Sequence, residues 1–222
     1  MLTLRTLGSV DLLGEDGEVM EALLAQPKRF AILVYLALAG RGSLQSRDAL
    51  LALFWPELDE DRARNALGQS IHFLRSRLPE GVLVGRGKNR IGIDPKAIRS
   101  DVGDFELALA EGRWKDVSDL YGGSFLEGFH VGGASGFEDW MAGERERLRE
   151  AAAGAAWSLA RQHIEAGSLV EAERTAQRAM DLVCTDESPV RGFIEALARA
   201  GDRAAALNFY QRFSQKLEEK LD

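Results

Sequence analysis

The sequence predicts a mainly α-helical protein with a small β-sheet in its N-terminal part, and three observations support this. Strand-like patterns are confined to the first 100 residues, whereas apolar residues at helical spacing dominate the rest. Residues 1–100 contain 14 Lys and Arg against 12 Asp and Glu, and residues 101–222 contain 14 against 23, so the net charges are +2 and −9. Two segments of the C-terminal half also repeat. The charge division predicts two domains, at 1–98 and 99–222.

The first domain alternates short strands and helices. The run LTLRTLGSVDL has the spacing of a strand and precedes a cluster of turn residues, which predicts a small sheet with a hairpin. Proline suits the first turn of a helix and serine is a good N-cap, so Pro27 and Ser46 each mark the beginning of a helix. This order of elements predicts a winged helix-turn-helix whose wing is a basic hairpin. The predicted elements are the sheet (2–12), three helices (28–40, 47–55 and 62–78) and the wing (82–93).

The second domain contains an internal repeat. IEAGSLVEAERTAQRA (164–179) aligns with ARAGDRAAALNFYQRF (198–213) at an offset of 34 residues. Each copy has an Ala-Gly turn followed by an alanine five positions after the glycine, and small residues there let two helices approach closely. A period of about 34 residues is typical of tetratricopeptide repeats. We therefore predict an all-α, tetratricopeptide-like domain, whose surface is a candidate site for a further protein partner.

The third helix of the first domain separates its apolar and polar residues. At about 100° per residue, Ala63, Leu67, Ile71, Leu74 and Leu78 share one face, which we expect to be buried. The other side carries groups that hydrogen-bond base edges, since Asn and Gln suit adenine and Arg suits guanine. Such a face is either merely solvated or a surface that reads a DNA groove, and its position before a basic hairpin favours the groove. The candidate residues are Arg62, Arg64, Asn65, Gln69, His72, Arg75 and Ser76.

A basic block occupies residues 62–99, where nine Lys and Arg stand against Glu80 and Asp94. The wing places Arg86, Lys88 and Arg90 on a Gly-rich loop, which is suited to phosphate or minor-groove contact, although it could also be an ordinary solvated turn. At the start of the second helix, Ser46 and Arg47 form a candidate phosphate site or simply an N-cap without a ligand.

An acidic loop separates the second and third helices. Its candidate residues for contact with another protein are Trp55, Glu57, Asp59 and Glu60. Phosphates repel carboxylates, so we expect the loop to point away from DNA. The alternative is that its acids cap the following helix and that Trp55 is buried.

Other classes of function lack their sequence signals. No apolar run reaches the roughly 18 residues of a membrane span, and the N-terminus lacks a secretory signal. The single cysteine, Cys184, cannot form an internal disulfide, so we expect a cytoplasmic protein with no membrane partner. There is no phosphate-binding loop of the G-x-x-x-x-G-K-[ST] type, no catalytic carboxylate pair, and no metal-ligand spacing among the histidines. We therefore expect no enzyme, catalytic residue, metal or cofactor.

Three blocks resemble the bacterial transcriptional activator domain family, which includes the Streptomyces antibiotic regulatory proteins. The order of the blocks carries the resemblance, which covers essentially the whole chain. In those regulators a basic residue usually stands where this chain has Phe73. The blocks are ALLALFWPELDEDRARNALGQSIHFLRSRL (49–78), SDVGDFELALAEG (100–112) and LYGGSFLEGFHVGGASGFEDWMAGERERL (120–148).

The resemblance implies a transcription regulator, usually an activator that binds promoter DNA and contacts RNA polymerase. It places Arg86–Arg90 on a wing and makes Trp55–Asp61 the loop that such regulators often present to polymerase. The residues that it places on a recognition helix are Arg64, Asn65, Gln69, His72, Arg75 and Ser76. A homodimer on DNA is a further expectation. The alternative function is a tetratricopeptide-type adaptor whose winged helix binds protein, but such a domain has no need of the basic block.

Overall fold

The computed structural model describes residues 1–39, 42–87, 89–183 and 187–221, with the backbone alone for 219–221. The predicted fold class, mainly α with a small N-terminal sheet, is confirmed. The chain divides into two compact units, each made of two segments. The first contains Met1–Asp104 and Gly122–Arg145, and the second contains Phe105–Tyr121 and Glu146–Asp222.

The elements predicted for the N-terminal part are present in the predicted order, with a further short helix and two further strands, and the helix ends differ from the prediction by one or two residues. The predicted end of the first helix at residue 40 lies outside the described residues. Pro27 occupies the first turn of its helix, and Ser46 caps the next one, as expected. The elements up to residue 100 are β1 (Leu2–Arg5), β2 (Asp11–Leu13), α1 (Glu21–Leu24), α2 (Pro27–Leu38), β3 (Gln45–Ser46), α3 (Arg47–Phe54), α4 (Glu60–Arg77), β4 (Leu83–Arg86), β5 (Arg90–Ile93) and β6 (Ile98–Ser100).

The first unit contains two three-stranded sheets. One has the order β2-β1-β6, in which β1 pairs antiparallel with β2 and parallel with β6. The other has the order β3-β5-β4 and is antiparallel throughout. In the second sheet β4 and β5 form the hairpin that the sequence predicts as a wing, and β3, which ends at the residue before α3, pairs with β5.

Asp101 joins the first sheet to the helix that follows it. Its carboxylate accepts hydrogen bonds from the backbone N–H groups of Thr6 (2.5 Å) and Leu7 (2.8 Å) and from the Thr6 hydroxyl (2.9 Å). The Thr6 side chain is fully buried, so each of these donors needs a protein partner. Asp101 therefore fixes the end of β1 beside the start of α5 (Asp101–Ala110).

The segment 122–145 packs within the first unit through aromatic rings. Phe137 stacks on Phe54 of α3 with a centroid separation of 5.2 Å. Trp140 meets Tyr35 of α2 edge to face at 5.0 Å. Pairs of this kind contribute about 0.5–1.5 kcal/mol beyond their burial. The chain passes between the two compact units more than once, so no single position in the sequence divides them. The functional division into 1–98 and 99–222 stays a prediction.

Two cations hold the loop between Gly122 and Ala134 in place. The Lys28 ammonium donates to the carbonyl oxygens of Phe54 (3.1 Å) and Gly133 (2.9 Å), and burial lowers the pKa of Lys28. The Arg145 guanidinium donates to the carbonyl oxygens of Phe125 and Leu126 at 2.7 and 2.6 Å. Each of these bonds gives a backbone carbonyl at a helix end or in the loop a donor, and the carbonyl of Leu126 also accepts the backbone N–H of Phe129 at 3.1 Å.

The second unit is helical and carries the predicted repeat. Gly167 and Gly201 adopt φ values of +74° and +93°, which glycine tolerates and other residues rarely adopt. The equivalent alanines, Ala172 and Ala206, are buried as expected. A core around Trp157, with other aromatic and alanine side chains, fills this unit. Its remaining helices are α6 (Trp114–Leu120), α7 (Ser135–Glu165, which starts in the first unit), α8 (Leu169–Leu182), α9 (Glu187–Arg199) and α10 (Arg203–Leu221).

Candidate nucleic-acid interface

The acidic residues before α4 begin that helix. The Asp59 carboxylate accepts a hydrogen bond from the backbone N–H of Arg62 at 3.0 Å, which makes Asp59 the N-cap. Glu60 and Asp61 follow in the first turn. Negative charge at this end interacts favourably with the helix dipole, so the position of the acids has a local structural cause.

The predicted buried face of α4 is confirmed. The five apolar side chains predicted for it are at most 7% exposed. They pack towards α1, α2 and α3, which contact this helix. Because the apolar face is fixed against these helices, the opposite face of α4 must point outward. The five residues are Ala63, Leu67, Ile71, Leu74 and Leu78.

All seven candidate residues of α4 are exposed, but they are not equally available. Arg62 forms an ion pair with Asp59 at 3.2 Å, and Arg64 pairs with Glu60. The Ser76 hydroxyl donates to a backbone carbonyl of its own helix at 2.8 Å. Within the described parts of the chain the other four have no hydrogen-bonding or ionic partner, and they are Asn65, Gln69, His72 and Arg75.

Phe73 departs from the resembled regulators, and its surroundings include two cations. The Arg29 guanidinium lies 4.3 Å from the ring centroid, and that of Arg77 lies 5.8 Å from it. Both distances are within the range of cation–π attraction. Arg29 of α2 therefore places positive charge beside Phe73, a contribution that the sequence alone did not indicate.

The wing concentrates positive charge in a small area. Arg86 and Arg90 are directly opposite in the β4–β5 ladder, and both are exposed. Like charges at such positions destabilise a hairpin unless an anion lies near them. With Leu44, Gly87 and Asn89 they line an open cavity. Lys88, the third predicted wing cation, lies outside the described residues.

The start of α3 adjoins the wing. The Ser46 hydroxyl accepts a hydrogen bond from the backbone N–H of Ala49 at 3.0 Å, so its cap function is in place without a ligand. The backbone N–H of Arg47 donates to the carbonyl oxygen of Asn89 at 2.9 Å. The Arg47 Nε is enclosed and has no hydrogen-bond partner among the described residues. An enclosed donor without a partner is costly, by about 1–3 kcal/mol.

Some residues of the acidic loop have ionic partners, and others have none in the described part of the protein. Asp59 and Glu60 are engaged with the arginines of α4, as described above. Trp55 is half-buried beside Phe54, with the Lys28 ammonium 5.5 Å from its ring centroid. Glu57 is exposed, and no partner for it is found in the described part of the protein. It also lines a cleft of about 320 Å³ with Glu138 and Asp139.

Comparison with known families identifies the class of protein. The second unit is helical and carries the 34-residue repeat that the sequence predicts. A family profile described as "Bacterial transcriptional activator domain" matches residues 96–222, more than half of the chain. The chain belongs to this family. A comparison with curated proteins found no match.

Across the described ranges, no helix is long and apolar enough to cross a membrane. Within the same ranges, no three His, Cys, Asp or Glu side chains are grouped so that they could hold a metal ion. The lone Cys184 lies outside the described residues.

Proposed function

We propose that this protein is a DNA-binding transcription regulator whose first unit, read as a winged helix-turn-helix, binds promoter DNA. The observation that carries the proposal is a set of exposed arginines with no carboxylate partner in the described residues, Arg75 and Arg77 on α4 and Arg86 and Arg90 on the wing. Phosphate contacts supply most of the affinity of such an interface, and side chains that reach base edges supply its specificity.

The two surfaces have different expected tasks. Asn65, Gln69, His72 and Arg75 are exposed on one side of a helix whose other side is buried, which suits insertion into a major groove. Arg86 and Arg90 oppose each other on the wing, where a phosphate would relieve their repulsion. Ser46 and Arg47 adjoin the wing, and the unpartnered Arg47 Nε is a donor that a nearby phosphate can engage after a small movement.

A second part of the proposal concerns activation. The family is described as one of transcriptional activators, and such proteins act with RNA polymerase. Of the four loop residues considered for this contact, Glu57 is the best candidate, because it is exposed and uncommitted while Asp59 and Glu60 pair with arginines. We infer that Glu57 meets a basic surface of polymerase and that Trp55 shapes the loop.

The DNA-binding proposal is tested by titrating duplex DNA with the whole 222-residue chain at several salt concentrations. The whole chain is used because the segment 122–145 packs within the first unit. We expect affinity to fall by orders of magnitude, about 10³ or more, between 50 and 200 mM salt if several phosphates are contacted. Binding that does not vary with salt, or no binding at 50 mM, contradicts the proposal and favours the adaptor alternative.

A further inference from the structure

The ring of Phe73 has arginine side chains from two different helices beside it. The guanidinium carbon of Arg29, in the first turn of α2, lies 4.3 Å from the ring centroid, and that of Arg77, in the last turn of α4, lies 5.8 Å from it. Neither arginine has a carboxylate partner among the described residues. Two like charges beside one ring repel each other unless an anion approaches them. The cluster of Arg29, Phe73 and Arg77 is therefore a candidate anion site.

The stability of the fold does not account for a cation at position 29. The first turn of α2 contains no acidic residue, and the N-terminal end of a helix carries partial positive charge, so a cation there is unfavourable. The neighbouring Lys28 has a structural task, since it donates to two backbone carbonyl groups. Arg29 makes no such bond within the described ranges. Its cation–π contact uses no hydrogen-bond acceptor, so its N–H groups remain available to a ligand.

The cluster lies along one edge of the candidate reading face of α4. Phe73 and Arg77 follow Gln69 by four and eight residues, and residues four apart are neighbours on a helix surface. At about 100° per residue, Arg75 falls on the opposite side of Gln69, roughly 120° around the helix. Cations therefore flank Gln69 on both edges of α4, and Arg29 adds to the edge that faces α2.

A helix in the major groove of DNA has phosphates on both sides. The groove is about 12 Å wide, and a helix with its side chains is about 10–12 Å across, so both edges of the helix come close to a wall of the groove. The two walls belong to opposite strands. Cations on both edges of α4 thus suit both strands, whereas cations on one edge suit only one.

We propose that Arg29 and Arg77 bind a backbone phosphate on the wall of the groove next to α2, and that Arg75 faces the opposite strand. Phe73 is a positioning residue, because its ring holds the Arg29 guanidinium beside α4. Guanidinium groups bind phosphate through charge-assisted hydrogen bonds. This inference rests on the proposed DNA binding and adds to it a phosphate contact from α2, which lies outside both the recognition helix and the wing.

A salt series with the whole chain tests the site, with duplex DNA obtained by selection from random sequences. Arg29→Ala should lower affinity for every sequence about five- to tenfold and reduce the slope of log affinity against log salt by about 1, because one phosphate contact is lost. Arg5→Ala is the matched control and should bind as the unmodified chain does, since Arg5 is exposed but lies opposite Asp11 in the β1–β2 ladder. Thermal unfolding verifies that each variant folds.

The outcomes of this series separate the new site from DNA binding itself. If the unmodified chain binds no duplex at 50 mM salt, the proposed function and this site both fail. If it binds and Arg29→Ala changes neither affinity nor slope, the site alone is overturned. Equal losses in Arg29→Ala and Arg5→Ala overturn it as well, because net charge then explains the effect.

Ethylation interference on the same duplex maps the two walls of the groove. An ethyl group neutralises one phosphate, so positions at which it prevents binding mark phosphate contacts. Arg29→Ala and Arg77→Ala should abolish interference at the same phosphate or at its neighbour, and Arg75→Ala should abolish it on the other strand. Loss on one strand in all three variants overturns the arrangement across the groove.

Variants of Phe73 test its positioning role. Phe73→Leu removes the aromatic face and should reproduce the loss of affinity of Arg29→Ala, whereas Phe73→Tyr keeps the ring and should retain affinity. The two losses should not add when Phe73→Leu is combined with Arg29→Ala, because both remove the same contact. Full affinity in Phe73→Leu, or a further loss in the combined variant, shows that Phe73 does not act through Arg29.

Discussion

The two units differ in how often their basic side chains are paired with carboxylates. In the second unit many cations lie beside a carboxylate of the same unit, whereas the outer part of α4 and the wing leave arginines without such a partner in the described ranges. The matched pairs include Arg113 with Glu111, Lys115 with Asp119, Arg147 with Glu106, Arg174 with Glu171, Arg199 with Glu195, and Arg212 with Glu173. The unmatched arginines include Arg75, Arg77, Arg86 and Arg90.

The proposed DNA binding depends on this difference, because the net charge of the chain is −7. Matched pairs cancel at short range and leave little field beyond a Debye length of about 8–10 Å. Unmatched arginines on one surface add their potentials, and that local field attracts phosphate whatever the net charge of the chain. Arg62 and Arg64 are the exception, because acids at the start of their own helix neutralise them.

The largest effect is expected from reversing an unmatched acid in the first unit. Glu57→Lys should abolish transcription activation while DNA affinity stays the same or rises, because a repulsive cation replaces the carboxylate that faces the partner. In-vitro transcription and footprinting on one promoter measure both properties. Glu60→Gln is the control, since Glu60 pairs with Arg64 and its loss should leave activation largely intact. Normal activation by Glu57→Lys would mean that the loop does not contact polymerase.

A smaller but still large effect is expected from the wing. Arg86→Ala combined with Arg90→Ala should lower affinity about tenfold or more for every DNA sequence, and should reduce the slope of log affinity against log salt by about 2. Thermal stability should stay the same or rise slightly, because two opposed like charges are removed. A filter-binding salt series and thermal unfolding measure these changes.

The matched control for the wing lies in the second unit. Arg174→Ala with Arg199→Ala also removes two exposed arginines, but each comes from a local ion pair. This variant should bind DNA as the unmodified chain does. Equal losses of affinity in the two double variants would show that net charge, and not the arrangement of charge, controls binding.

The smallest effect is a change of sequence preference. Gln69→Ala should weaken discrimination at one base position by about 1–3 kcal/mol, while affinity for unrelated DNA changes little. Selection of bound sequences from random DNA, followed by competition binding, measures this. Gln162→Ala, an exposed glutamine of α7, should change neither property. A uniform loss of affinity with unchanged preference would mean that Gln69 does not face base edges.

The candidate recognition helix could be predicted from the sequence because its signals are local. The spacing of its apolar residues determines which face is buried, and Asp59 caps the helix three residues before the N–H that it binds. The wing hairpin could be predicted equally well, because two short β-prone runs around glycines favour a hairpin whatever the rest of the chain does. The roles assigned to these residues in DNA binding remain predictions.

Which candidate residues lack an ionic or hydrogen-bonding partner could not be predicted in this way. The sequence does not distinguish Arg62 and Arg64 from Arg75, but in the structure the first two form ion pairs with carboxylates one turn away. The contribution of Arg29 beside Phe73 depends on how α2 crosses α4, and nothing in either segment alone indicates it.

The sequence by itself determined the approximate ranges of three helices in the first unit, the buried face of α4, the 34-residue repeat and the location of the basic block, because each follows from periodicity, capping or composition. Only the tertiary structure decided the parallel pairing of β1 with β6, the Asp101 link to Thr6, and the return of the segment 122–145 to the first unit. These contacts join residues that are far apart in the chain. They depend on shape and on the hydrogen-bonding needs of buried groups, which leave no periodic pattern in the sequence.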